Sequence, residues 1–407
     1  MVPRNNLALN SFLNKNFRLC ILMLIGGTYF LYAIYFDTTK QPIGLRTGGD
    51  EPHYLLTAKS LLNDKDFNLK NNYNPSQWTD FYNYAQLDLH VVKVTPEAWY
   101  SIHSPGLSFL LLPILLVTSN LFLIRIYLAI FAILSLVVIF EVCYGLTGNR
   151  FASGLTIAVV GLTRPYFTHS ILLFPEIIAS LCISLLILRH ILIIRHNQVN
   201  LVSIGILLGV IPYLHLRYLP LVLFFIILFT FDVIIVLRKI QRLFEMFLPF
   251  ILLITGLILY YVILFGSLDV DKEQTFWSFS MQSLALTFYN IFFNPRKGLF
   301  TNAPIYLLSA VGLFHVIKEK QLEYLPLLAL VFYLPLIASF GNWYGEWSPA
   351  ARYLVVVTGV LSMPLATFFA RLKTWRTKFI FYFLSTISIL ISASIFLSNN
   401  SGFVQLQ

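Results

Sequence analysis

The chain has 407 residues, of which 58% are hydrophobic and only 11% charged, with a mean hydropathy of +0.77. A soluble domain carries about 25% charged residues, so a soluble enzyme is excluded, and repeated apolar runs of about 20 residues specify an all-α polytopic membrane protein. The 28 Lys and Arg against 18 Asp and Glu give +10, an excess that positive-inside loops beside anionic lipid explain without nucleic acid.

Arg4, Lys15 and Arg18 precede the apolar run Leu19 to Phe36. The run is long for a signal-peptide core and no small-residue cleavage site follows it. Residues 1–18 are therefore expected as a cytoplasmic N-terminus and 19–36 as the first transmembrane helix. Cys20, Cys143 and Cys182 all fall in apolar runs, so neither a disulfide framework nor a metal-type spacing exists.

Residues 37–104 then form a long external loop. It holds 8 of the 18 acidic residues together with Trp78, Tyr82, Tyr84, Trp99 and Tyr100, too aromatic for a linker and too long to lack structure or function. Two or three short helices lying on the membrane surface are expected. Its first polar stretch is Gly48-Gly49-Asp50-Glu51-Pro52-His53-Tyr54-Leu55. Pro52 suits the start of a helix that Ala58, Leu61 and Leu62 continue. Asp50 and Glu51 then sit at the positive end of its dipole, which favours their ionised forms. Such a pair suits a base or a metal ligand; a helix cap with solvated loop charge is the plain alternative.

Ser101-Ile102-His103-Ser104-Pro105-Gly106 leads into an apolar piece over 107–118, broken by Pro113 and too short to span comfortably. Basic clusters follow at Arg189/Arg195, Arg238-Lys239/Arg242, Lys318/Lys320 and Arg371/Lys373/Arg376/Lys378. With all four cytoplasmic, spans are expected near 121–145, 151–163, 171–195, 201–214, 217–238, 246–266, 301–317, 322–340, 352–371 and 378–397. With the first helix this makes about 11, with 12 or 13 as alternatives. The divisions are a bundle over 105–266, an external loop with an interfacial helix over 267–300, a second bundle over 301–397 and a short tail over 398–407. The Phe- and Trp-rich stretch Thr275 to Phe293 supplies that helix, either steering a polyisoprenoid tail or acting as a plain anchor.

This topology gathers acids and bases on the external face: Asp50, Glu51, His53 and His103, then Arg164, His169 and Glu176, then His215 and Arg217, then Arg296 and Lys297, and last Glu346 and Arg352. Most spans carry no charge near their middle, so an ion path is not indicated.

Four motifs carry a resemblance. They are Gly49-Asp50-Glu51 followed by Tyr54, His103-Ser104-Pro105-Gly106-Leu107, Gly298-Leu299-Phe300 with Pro304, and Trp343-Tyr344-Gly345-Glu346-Trp347 followed by Arg352-Tyr353. The chain resembles the integral-membrane GT-C glycosyltransferases, in particular the prokaryotic protein mannosyltransferase and aminoarabinose transferase-like set. The resemblance implies an inverting transfer of sugar from a polyprenyl-phosphate carrier to an acceptor hydroxyl on the external face of the plasma membrane. It implies Asp50 as general base and Glu51 as its support, which makes 37–104 the catalytic loop.

The chemistry is compatible. A lipid phosphate is already a good leaving group and needs cations more than an acid, whereas a glycosidase needs a second, opposed carboxyl. Arg352 is the first candidate to hold the phosphate, with a salt bridge to Glu346 as its alternative. Arg296 and Lys297 come second, or else snorkel to headgroups. His53 and His103 are expected to bind substrate hydroxyls or, with Glu51, a metal, unless they are structural. Arg217 lines the cavity or anchors its span, and His169 falls where related enzymes place further polar groups. No clear Asp-x-Asp stands in the region of Arg164, His169 and Glu176, so no cofactor is required and a divalent metal, although compatible, has no support there. No nucleotide motif follows Gly26-Gly27.

Many relatives add a soluble C-terminal domain; this chain stops at Gln407, which leaves lipid, glycan and protein acceptors open. A transporter or flippase and a non-catalytic subunit of envelope-glycan assembly are the competing classes. The transferase reading requires Asp50 and Arg352, far apart in sequence, to meet at one pocket.

Overall fold

The computed structural model describes residues 4–39, 47–83, 86–268 and 280–396. The expected tail 398–407, Tyr84 and the start of the aromatic stretch, Thr275 to Phe279, lie outside the described residues.

The chain opens with α1 (Arg4–Thr39). The first loop carries α2 (Glu51–Asn63), α3 (Pro75–Trp78), β1 (Val91–Thr95) and β2 (Ala98–Ser101), then α4 (Gly106–Leu115). The bundle continues through α5 (Leu121–Thr147), α6 (Arg150–Leu162), α7 (Tyr166–His169), α8 (Glu176–His196), α9 (Leu201–Leu214), α10 (Leu219–Phe231) and α11 (Leu243–Phe265). It ends with α12 (Met281–Phe293), α13 (Leu299–Asn302), α14 (Leu307–Glu319), α15 (Ala329–Ser339), α16 (Thr358–Phe369) and α17 (Trp375–Ala393).

Among the described residues, 8 helical segments are long and apolar enough to cross a membrane, and shorter apolar helices stand at 106–115, 150–162 and 201–214. Eight of the eleven segments expected to span coincide with the long ones, 151–163 and 201–214 fall on the shorter helices, and 301–317 is interrupted at Ala303 between α13 and α14; the chain is an all-α polytopic membrane protein. Asn120, Asn149, Asn200 and Thr374 each cap the helix that follows by accepting a backbone N–H. The 107–118 piece is α4, of 10 residues with Pro113 inside it. At 1.5 Å per residue it covers about 15 Å, half the hydrocarbon thickness.

The first loop departs from the expectation of surface helices in two ways. Residues Val91–Thr95 and Ala98–Ser101 form an antiparallel hairpin, with Val91 opposite Ser101 and Lys93 opposite Trp99. The run Val91-Val92-Lys93-Val94-Thr95 faces Trp99 and Tyr100, and β-branched and aromatic residues favour a pleated surface over a helix. In addition, α2 does not lie on the surface. Glu51 to Ala58 are all buried, with Ser60, because α2 packs against α4 and its Leu55 and Leu56 join Leu107, Leu111 and Leu128 in a second apolar core.

The helix that fixes the site's other half is α16. It belongs to the span Arg352–Phe369, which is the least apolar of the eight and the most enclosed. Small residues permit this. A Cβ on Gly312 of α14 would stand 1.9 Å from Pro364 O of α16, a distance only glycine avoids. The basic clusters lie at the opposite helix ends, where Arg195 pairs with Glu323 at 3.1 Å and Arg371 pairs with Glu319.

Candidate active site

The site is built where the first loop meets the loop before α16. Gly49 has φ +55°, and a Cβ there would lie 2.4 Å from Trp347 O. Only glycine lets the two loops touch in this conformation. Asp50 occupies the N-cap position of α2, but its side chain caps nothing. It turns instead to Arg352, whose Nη2 donates to Asp50 Oδ2 at 2.7 Å while its Nε donates to Glu176 Oε1 at 2.6 Å. The guanidinium carbon rests 4.1 Å from the centre of the Phe174 ring. Burial alone would raise the Asp50 carboxyl. The Arg352 charge, with the imidazoles of His103 and His90, outweighs burial and holds it well below the usual carboxylate range.

Glu51 points elsewhere. It is fully buried, accepts from Arg125 Nη1 at 2.8 Å and Nη2 at 3.3 Å, and takes the backbone N–H groups of Gly48 and Leu173 at 3.0 and 2.9 Å. It locks the turn that presents Asp50 and does not face the cavity. Arg125 escaped the sequence reading, although an arginine inside the apolar run that became α5 was a usable signal.

Three imidazoles stand beside Asp50. The His53 and His90 rings stack at 3.8 Å, and His90 Nδ1 lies 3.1 Å from His103 Nε2 and 4.0 Å from Asp50 Oδ1. Burial pushes His103 down to about 4, with Asp50 opposing and His90 and Arg352 adding to the effect. Burial, with His90 and His103 beside it, also lowers His53. Both rings are therefore neutral near pH 7. Asp50, His90 and His103 offer one ligand atom each within 4.8 Å of one another, a donor set of two imidazoles and a carboxylate suited to a zinc-like ion. His90 was absent from the sequence candidates, and Glu51, expected as the metal partner of the histidines, is not part of this group.

A cavity of about 760 Å³ opens over these groups, lined by Asp50, His53, His90, His103, His215, Arg217, Glu346 and Arg352, with Tyr82, Phe340, Trp347 and Tyr353 among its aromatic walls. Asp50 and Arg352 thus meet at one pocket. Glu346 is exposed and accepts from Asn342 Nδ2; it does not pair with Arg352.

The remaining candidates do not line the cavity. Lys297 is buried and donates to Glu346 O at 2.9 Å and Ser348 O at 2.6 Å. Burial, then Arg352, lowers it to about 7. Arg296 is exposed, with its backbone N–H on Asn294 Oδ1. His169 is buried with Nδ1 2.8 Å from Pro165 O, and burial lowers it to about 3.

No family model and no curated protein matches the chain. Among solved structures it is similar to the Archaeoglobus fulgidus oligosaccharyltransferase in its apo form, with TM-score 0.54 and 12% identity over 98% of this chain and 57% of that one. It is also similar to that transferase tethered with an acceptor peptide, with TM-score 0.51 and 12% identity over 97% and 56%. A third match is AglB from the same organism, in complex with an inhibitory peptide and a dolichol-phosphate, with TM-score 0.51 and 13% identity over 97% and 57%. The chain spans just over half the length of these proteins. Identity this low speaks to fold alone, and on that ground this multi-pass helical chain has the fold of the Archaeoglobus fulgidus oligosaccharyltransferase.

Proposed function

We propose that this protein is an inverting glycosyltransferase that moves a sugar from a polyprenyl-phosphate carrier to an acceptor hydroxyl, on the external face of the plasma membrane. The observation that carries the reading is the meeting of the Asp50 carboxylate with two arginines, Arg352 and Arg217, at a single cavity in a chain of this fold. The likeness to an AglB structure that holds a dolichol-phosphate supports a lipid phosphate as the leaving group.

In this reading Asp50 takes the proton of the attacking hydroxyl. Paired with Arg352 it is a weak base, because an adjacent cation favours the ionised carboxylate. The same pairing keeps Asp50 ionised, the form that can accept a proton, and holds it in place over the cavity. Glu51 contributes by fixing the turn through Arg125. The donor oxygen that leaves carries its charge on a phosphate, and the arginines stabilise it without a proton donor.

The test is transfer of radiolabelled sugar from a polyprenyl-phosphate donor by the full chain in lipid nanodiscs. Transfer by the wild type and its loss in Asp50→Asn support the reading. Undiminished transfer in Asp50→Asn overturns it.

A further inference from the structure

We infer that Arg217, rather than Arg352, is the main seat of an anionic ligand in this cavity, and that the ligand is the phosphate of the lipid carrier. The second half rests on the transferase reading; the first rests on the surroundings of the arginine alone.

The two arginines are in opposite electrostatic conditions. Arg352 is answered by two carboxylates, Asp50 at 2.7 Å and Glu176 at 2.6 Å. Arg217 lines the same cavity and has none: among the described residues no carboxylate forms an ion pair with it, and its Nη1 is shut off from solvent without a hydrogen-bond partner. Its guanidinium carbon instead stands 4.1 Å from the centre of the Tyr353 ring and 5.5 Å from that of Phe340. These contacts orient a cation without cancelling its charge. The neighbouring His215 caps the short turn by accepting the Arg217 backbone N–H at 3.2 Å, which fixes the backbone that carries the side chain.

An enclosed cation without a counter-ion is a liability in a folded protein, since desolvation is not repaid by attraction. Its retention beside a cavity is explained when an anion supplied from outside completes the pair. A guanidinium flanked by aromatic rings and not by carboxylates has N–H donors left for phosphate oxygens, a pairing in which arginine exceeds lysine. Arg352, already shared between two carboxylates, is then the group that positions Asp50.

The experiment follows thermal unfolding of the full chain in nanodiscs, with polyprenyl phosphate, polyprenol or inorganic phosphate added, for wild type, Arg217→Gln and Arg217→Lys. The inference expects polyprenyl phosphate to stabilise the wild type, with affinity at least about 10-fold weaker in Arg217→Gln and intermediate in Arg217→Lys. It also expects Arg217→Gln without ligand to unfold no lower than wild type, since the substitution removes an unanswered charge. Equal affinity of wild type and Arg217→Gln for polyprenyl phosphate overturns the inference, as does equal stabilisation by polyprenol. Inorganic phosphate acting alone as strongly as the lipid overturns the lipid source and leaves the anion site. Binding that depends on Arg217 in a protein that transfers no sugar counts against the transferase reading and supports the site.

Discussion

Asp50 Oδ2 accepts a 2.7 Å hydrogen bond from Arg352 Nη2, although the two residues stand 302 positions apart. The contact joins the turn before α2 to the start of the most enclosed span, and Glu176 at the head of α8 holds the other side of the same guanidinium. Three elements are thereby fixed on one charge. Loss of either carboxylate leaves Arg352 with one partner, and loss of Arg352 leaves two carboxylates without their cation.

Adjacent carboxylates are expected to fail differently. Asp50→Asn should lower sugar transfer by about 10²–10⁴-fold, the usual contribution of a general base, with a smaller fall in the thermal midpoint than Glu51→Gln, because Arg352 keeps Glu176 as a partner. Glu51→Gln should lower the thermal midpoint first, because it breaks a fully buried pair with Arg125, a change that costs about 3–5 kcal/mol. Transfer rates and unfolding curves of the two variants, measured side by side, check the distinction.

The Glu51–Arg125 pair should also show coupling. Glu51→Gln combined with Arg125→Met is expected to be less destabilising than the sum of the single changes, since the double variant leaves no charge unanswered. A strictly additive double-mutant cycle would contradict the buried pairing.

Acid sensitivity has a definite sign. His103 titrates near 4 in the folded chain against about 6.5 unfolded, so the unfolded state binds more protons across that window and stability falls as pH drops from about 6.5 to 4. The Asp50 carboxyl, held below its unfolded value of about 3.9, contributes stability above that pH and loses it at still lower pH. His103→Asn should flatten the upper part of the pH dependence of the thermal midpoint, and Asp50→Asn the lower part.

Gly49→Ala should damage the site without touching its chemistry. The φ of +55° and the 2.4 Å approach to Trp347 O leave no room for a methyl group, and a strained backbone of this kind costs about 1–3 kcal/mol. Reduced transfer with Asp50 intact is expected, and a fully active, fully stable Gly49→Ala protein would show that the two loops need not touch.

Lys297→Met should loosen the 346–348 segment, whose carbonyls of Glu346 and Ser348 it holds. Loss of hydrogen bonds from a charged donor costs about 1.5–3 kcal/mol each. Faster proteolytic cleavage near Trp347 and a higher KM for the donor are expected, with kcat less affected.

The sequence by itself determined most of the long apolar helices. Transfer of an apolar side chain into lipid is nearly additive along the chain, so run lengths and basic clusters located the helical segments, and Pro113 marked α4 as too short to cross. Local chemistry also located the start of α2. The hairpin over residues 91–101 was legible in its β-branched and aromatic residues but was read against a helical background.

Only the tertiary structure decided which charge answers which. Asp50 and Glu51 are neighbours with the same chemistry, yet one faces a cavity and the other is sealed against Arg125, 74 positions away. Arg217 and Arg352 read alike in sequence, yet one is unanswered and the other doubly paired. Pairing of this kind depends on which helix ends the fold brings together and on the water it excludes between them, and neither quantity is a property of any local stretch of residues.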